Sequence, residues 1–349
     1  MADNINLFDW RSLTESVNKI KPAKSFILDT IFKTPVSHVA DVVDIELITG
    51  RTKLSRFVNK NEGPQLVGKD TSAQVVTFRL PRIFEKKVFT ANELAAFKTD
   101  SSVYAGSAAD ITRQAELYKA RELQALQDRL ARRKEQMACQ ILTTGALTVT
   151  QSNIEFTYNF KYGQGQSLVT LTGSDKWDQA TPKIATQIRK QKKSMIDRSG
   201  AVPTIGILGT DAAEKFVQDT AVMKDLNNLN YKVGSLDLNG NIGDNGADYI
   251  GRAYGIDWYV YGGTYTDDSD ASQELFGTKL CVLVAPDNSF RKHSGPIYRI
   301  ENGQSLTIRS DVYVAPFVDE YGTSMEWLLE CKPLPAVHNP DRVIAITTY

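Results

Sequence analysis

Histidine and cysteine are scarce, three of each among 349 residues, and that scarcity removes whole classes of chemistry. His38, His293 and His338 lie far apart in the chain, none beside a recognisable nucleophile motif, and no G-x-S-x-G occurs. A nucleophile–base–acid triad therefore has no support, and no enzyme activity is expected. Cys139, Cys281 and Cys331 are odd in number and widely spaced, which argues against a disulfide framework and for buried, reduced thiols. Net charge is lacking too. Lys plus Arg equals Asp plus Glu at 41 each, so no global field selects a nucleic acid or a membrane, and any electrostatic function must come from local segregation of charge. No run approaches the roughly 18 apolar residues of a membrane helix. The start MADNINLFDW has no basic n-region of a signal peptide, and an intracellular product is expected. What is present is 42% hydrophobic residues, enough for a real core.

The most regular stretch runs from Ser107 to Gly145, without proline or internal glycine and rich in Ala, Leu, Gln, Glu, Lys and Arg. These residues cost least in a helix. Ser107 with Asp110 suits its start, and Gly145 suits a left-handed stop. Spacing predicts one helix over about 107–144, with an apolar stripe of Leu123, Leu126, Leu130, Met137 and Ile141 and a shoulder of Leu117, Ala120, Ala131, Ala138 and Leu142. The charged Lys134 interrupts the stripe, so the expectation is a lone beam across a sheet rather than a coiled coil.

Ahead of it, Phe26, Ile27, Leu28, Ile31 and Phe32 form an apolar patch between Pro22 and Pro35, in an arm that must set its aromatics against its own domain or a neighbour. From Ile45 to Phe97 the pattern becomes strands and turns, broken at Asn61-Glu62-Gly63-Pro64 and strongly basic, with Arg51, Lys53, Arg56, Lys60, Lys69, Arg79, Arg82, Lys86 and Lys87. Two strands joined by a long polar excursion make an extended hairpin, which is marginal in water unless something outside supports it. After the long helix, IEFTYNFKY alternates and turns through Gly163-Gln164-Gly165 into SLVTLTG, which predicts a second hairpin. Thr181-Pro182 opens another helix, ended by Gly200. TIGIL followed by DAAEKFVQD is a strand–helix unit, LCVLVAP reads as a central strand, and the chain from Ser305 onward is rich in strands.

Three further motifs are weighed and read as structural. Asp237-x-Asn239-x-Asn241 with Asp248 has calcium-loop spacing, but Ile242 stands where the sharp turn needs glycine, and no metal or cofactor is expected. Gly209-Thr210 after a strand has no P-loop lysine behind it and reads as a helix cap. Arg129, Arg132, Arg133 and Lys134 could touch phosphate, but the favoured reading is pairing with Asp128 along the helix and complementing the C-terminal half of its dipole.

The order of these parts resembles the major capsid proteins of tailed bacteriophages with the HK97 fold, and within them the lambda gpE-like group. It rests on SFILDTIF before a proline, the basic hairpin, the Arg/Gln/Glu-rich beam, TIGILGTDAAEKF, LCVLVAPDNSFRKHSGPIYR and the ending DEYGTSMEWLLECKPLPAVHNPDRVIAITTY. The resemblance implies an α+β fold with an N-terminal arm (1–45), an extended E-loop (46–97), a P-domain containing the spine helix (98–175 with 300–349) and an A-domain (176–299). It implies an icosahedral shell of hexamers and pentamers around double-stranded DNA held by non-specific contact, formed in the host cytoplasm and found in the virion. Portal, scaffolding and decoration proteins are the implied partners, with no membrane. Assembly contacts are expected at Arg51, Lys53, Arg56, Lys60, Lys69, Arg79 and Arg82 of the E-loop. The alternatives are an encapsulin-type cage and a basic nucleic-acid-binding protein.

Overall fold

A single helix of 37 residues, Ala108–Thr144, runs where the helix formers predict it. It stops at Gly145, whose backbone is left-handed at φ 69° and whose N–H donates to the Ile141 carbonyl at 2.9 Å. A side chain there would also run into Tyr162, 2.3 Å from the place of a Cβ. The computed structural model describes residue 14 and residues 25–50, 71–90, 108–151, 154–163, 166–233, 247–267, 269–301, 303–319 and 323–349.

Before the long helix come helix α1 (Phe26–Thr30) and strands β1 (Thr34–Ser37), β2 (Val42–Gly50), β3 (Thr71–Arg79) and β4 (Ile83–Thr90). The long helix is α2. Then follow β5 (Ala146–Gln151), β6 (Ile154–Asn159), β7 (Leu168–Thr170), α3 (Ile184–Ser199), β8 (Ile205–Leu208), α4 (Thr210–Gln218), α5 (Thr220–Val233), β9 (Ala247–Ala253) and β10 (Ile256–Tyr261). Short strands β11 (Thr264–Thr266) and β12 (Ser272–Glu274) precede β13 (Leu280–Val284), β14 (Phe290–Ser294), β15 (Ile297–Glu301) and β16 (Gln304–Ile308). The chain finishes with β17 (Tyr313–Val318), β18 (Ser324–Cys331), β19 (Pro333–Val337) and β20 (Val343–Thr347).

Helix α2 is a beam shared by two cores. Its middle sets Leu123, Leu130 and the partly buried Leu126 against Phe89, Val314, Met325, Trp327 and Leu329, the inner face of the sheet β17-β18-β4. Ion pairs Lys87–Glu122 at 3.0 Å and Arg129–Glu85 at 3.6 Å fasten the edge strand β4 to it. Its second half sets Met137, Ala138, Ile141 and Leu142 in the main core, with α1, the hairpin β2–β3, β5, β6, β14 and β19. The alternating burial of β2 puts Val43, Ile45 and Leu47 into that core and Val42 and Ile48 outside.

A six-stranded sheet, β7-β20-β13-β8-β10-β9, holds α3, α4 and α5 on one face. Strand β13 is central, with Cys281 and Leu283 toward the helices and Val282 and Val284 toward the main core. Burial on both faces is why LCVLVAP is apolar without alternation. All three cysteines are buried and free.

Two local expectations are corrected, the pairing of IEFTYN and the dipole role of the basic cluster, and one open alternative, the place of the apolar patch, is decided. IEFTYN pairs backward with β5, not forward, and β7 lies parallel to β20 instead. The apolar patch from Phe26 to Phe32 is buried in the chain's own core, and Thr14 caps β17, its hydroxyl donating to the Val314 carbonyl at 3.0 Å and accepting from the Val314 N–H at 3.1 Å. The last turn of α2 carries no basic residue, so Arg129, Arg132, Arg133 and Lys134 stand too far from its end to serve the dipole; Arg129 pairs with Glu85 across to β4.

Candidate functional site

The region of functional interest is the root of the hairpin β2–β3, where a limb leaves the body. The strands pair in antiparallel register from Val42 opposite Arg79 to Gly50 opposite Thr71. The loop beyond, with Arg51, Lys53, Arg56, Lys60 and Lys69, lies outside the described residues. Arg79 is exposed on the outward face, across from Val42. Val42 and Val75 on that face are 53% and 61% exposed, so the limb roots one face in its own core and leaves apolar surface on the other.

Two opposite ion pairs pin the feet of the hairpin to neighbouring positions. Before β2, Asp41 accepts from Lys332 Nζ at 2.7 Å, and its carbonyl accepts from the Leu80 N–H at 2.9 Å. After β3, Arg82 donates to both oxygens of Glu330, at 2.7 and 3.0 Å. Glu330 is 2% exposed and also accepts from Arg299 at 2.5 Å. The guanidinium groups of Arg82 and Arg299 lie over the Phe84 ring, and Arg299 over Tyr313. A buried carboxylate with two arginines on it is compensated and geometrically demanding. The sequence marks Arg82 as a contact for a neighbour; its guanidinium is committed to its own chain.

The three histidines, dismissed one at a time in the sequence, stack beside this root. Ring centroids are 4.9 Å apart between His38 and His293 and 5.3 Å between His293 and His338. His38 Nε2 meets His293 Nδ1 at 2.6 Å, His293 Nε2 meets His338 Nε2 at 3.1 Å, and His338 Nδ1 meets the Glu46 carbonyl of β2 at 3.1 Å. A carbonyl only accepts, so His338 carries its proton on Nδ1. His338 Nε2 must then accept, so His293 is protonated on Nε2 and His38 on Nε2. One backbone oxygen thus fixes the tautomers of all three neutral rings. A first added proton fits at His38 Nδ1; a second must reverse a bond. Burial, then repulsion from a proton on His338 or His38 and from Arg291, depresses His293 to about 3. Burial likewise lowers His38 and His338.

Glu135 is the residue that sequence reasoning missed. It sits on α2 in line with the shoulder Ala131, Ala138 and Leu142, and is 2% exposed. Its carboxylate accepts from the Ile27 and Leu28 N–H groups at the start of α1, at 2.7 and 3.0 Å, and from Tyr261 Oη of β10 at 3.2 Å. It joins the N-terminal segment, the beam and the six-stranded sheet. A charge at a shoulder position was the available signal.

A groove of about 460 Å³ lies between α1, α2, β14 and β19, floored by Leu28, Leu130, Val312 and Leu334. Its histidine, His293, has both ring nitrogens in the stack, so it offers no free base there. Among the described residues, no three His, Cys, Asp or Glu side chains are placed to hold a metal. Asp237, Asn239 and Asn241 lie outside them. The start of α4 is filled by the chain itself, the Ala212 N–H donating to the Thr278 carbonyl at 3.0 Å. Among the described residues no helix is long and apolar enough to cross a membrane.

The model of the family described as phage major capsid protein E matches residues 9–348. No protein of curated function matches the chain in sequence. Among solved structures, the putative capsid protein of a prophage of E. coli CFT073 superposes with TM-score 0.67 at 12% identity, over 98% of this chain and 99% of that one. A phage-related protein from Bordetella bronchiseptica RB50 gives 0.53 at 12% identity, over 98% and 97%. The capsid of Ralstonia phage GP4 gives 0.52 at 12% identity, over 95% and 92%. The fold shared with these subunits is the HK97 capsid fold.

Proposed function

This chain belongs to the phage major capsid protein E family and is a shell protein of the virion, and we propose from that premise how its parts divide the work. Copies associate as hexamers and pentamers into an icosahedral shell that encloses double-stranded DNA, with portal, scaffolding and decoration proteins as further partners. The arm (1–45), E-loop (46–97), P-domain (98–175 with 300–349) and A-domain (176–299) are the units of that assembly. The observation that carries the reading is the hairpin limb, rooted by Val43, Ile45, Leu47 and Phe78 in its own core while Val42 and Val75 stand exposed. Apolar surface of this kind is stabilised when a neighbouring copy covers it.

The spine stripe Leu123, Leu126, Leu130, Met137 and Ile141 stiffens each subunit; the basic E-loop residues Arg51, Lys53, Arg56, Lys60, Lys69 and Arg79 meet the neighbour. The subunit's role is structural and not catalytic, a reading that rests on the family match. The family match favours a phage shell over an encapsulin-type cage.

Negative-stain microscopy and sizing of the full chain, expressed alone and with the products of its neighbouring genes, should reveal shells or capsomers. A strictly monomeric protein in both preparations would overturn the proposal.

A further inference from the structure

Helix α3 concentrates charge in a protein that has none overall. Between Lys183 and Ser199 stand Lys183, Arg189, Lys190, Lys192, Lys193 and Arg198 against a single acid, Asp197. Two of the six serve the chain itself: Arg198 pairs with Asp341 at 3.1 Å, and Lys192 donates to the Tyr254 carbonyl at 2.7 Å. The other four, Lys183, Arg189, Lys190 and Lys193, are exposed. At about 100° per residue they fall within roughly a third of the helix circumference, spread over about 15 Å of its length. The opposite side, Ile184, Ile188 and Met195, is buried against the sheet. None of the four forms an ion pair among the described residues; Arg189 only rests on the Tyr254 ring, 5.0 Å from its centroid.

This arrangement works against the helix. Arg189 and Lys193 are like charges four residues apart, and Lys190 and Lys193 three apart, spacings at which repulsion destabilises. Lys183 occupies the N-cap, where no side chain accepts a hydrogen bond and the first turn carries no acid, although that end of a helix favours negative charge. A local rule broken repeatedly on one face, without an ion-pair partner among the described residues, marks a surface shaped for something else.

We propose that this face of α3 binds the phosphate backbone of duplex DNA and therefore forms part of the shell's inner wall. The inference rests on the container reading given above and adds the surface and the residues. A neighbouring subunit is the less fitting partner: the centres of protein interfaces are apolar, and the one large exposed apolar residue on α3 is Ile196, at 36%, whereas the hairpin limb offers Val42, Ile48 and Val75 beside its charges. A row of flexible cations with little apolar area suits a polyanion read without sequence preference.

The test is duplex binding by the purified full chain, followed by fluorescence anisotropy with a 30-base-pair probe between about 50 and 200 mM salt. Each neutralised phosphate contributes about 0.9 to the slope of log affinity against log salt. The fourfold variant Lys183→Gln, Arg189→Gln, Lys190→Gln, Lys193→Gln should therefore lose about 3 to 4 from that slope with unchanged circular dichroism. Lys33→Gln with Lys161→Gln, exposed cations elsewhere, should leave most of it. A wild-type chain without salt-dependent binding, a variant with the wild-type slope, or an equal loss from the control pair would overturn the proposal. So would a variant that keeps the slope but no longer forms shells, which would give the face to a neighbouring subunit. Absence of shells from wild-type and variant alike would count against the container reading, while the slope difference would still judge the helix.

Discussion

Removing the Glu135 carboxylate deprives two backbone N–H groups and the Tyr261 hydroxyl of their acceptor in a buried site. An unsatisfied buried donor costs about 1–3 kcal/mol. Glu135→Ala should therefore destabilise the unassembled subunit by at least about 3 kcal/mol, read by thermal unfolding, and Glu135→Gln, which keeps one acceptor, by less. Burial outweighs the three hydrogen bonds and holds this carboxyl above its ordinary range. Its contribution is thus full below the ordinary carboxylate pKa and declines as pH rises through the raised value, a dependence that Glu135→Gln should flatten. The histidine stack runs the other way. Its pKa values are depressed, so its contribution is full above about 6.5 and is lost as pH falls toward the value of about 3 held by His293. Between pH 7 and 5 the wild-type subunit should lose about 2 kcal/mol more than His293→Gln, measured from urea midpoints. The two sites differ in how far the sequence could show them. Glu135 was visible as a charge on an apolar shoulder. The stack was not, because it needs positions 38, 293 and 338 brought together by strands whose pairing no local pattern encodes.

At the level of elements, the feet of the hairpin are held by Lys332 on Asp41 and Glu330 on Arg82, gripping positions only two residues apart on the same segment. Glu330→Gln should cost about 3 kcal/mol or more, since Arg82 and Arg299 lose the charge they compensate. Arg82→Gln should cost under about 1 kcal/mol, its side chain being 50% exposed and Arg299 remaining in place. Hydrogen exchange along β2 and β3 should rise in the first variant and change little in the second. Such an arrangement escapes a sequence reading, which sees Arg82 only as one more cation in a basic segment. Helix α2 and strand β13 were legible because their composition is dictated by their own surroundings, a long low-cost helix and a strand covered on both faces. The partner of IEFTYN was not, since alternation reports that a strand has two faces and says nothing of which strand lies beside it.

For the whole molecule, the described body holds the root of a limb, β2–β3, whose inner face lies in the main core and whose outer face leaves Val42 and Val75 exposed. Charge reversal at Arg51, Lys53 and Arg56 together should abolish shells under the electron microscope while leaving the circular dichroism of the subunit unchanged; a loss of fold would assign those residues to the body instead. The fold class was readable from the order of parts rather than from any signature, because what a shell subunit requires is a sequence of shapes. One of those shapes also sets a timetable. Strand β20 lies between β7 and β13 in the six-stranded sheet, so β7 has no neighbour in that sheet, and β13 keeps an open edge, until residues 343–347 have left the ribosome. Synthesis that halts earlier should yield four paired strands, β13-β8-β10-β9, with an open edge on β13 that the last strand alone would close, a template for wrong pairing in any truncated chain.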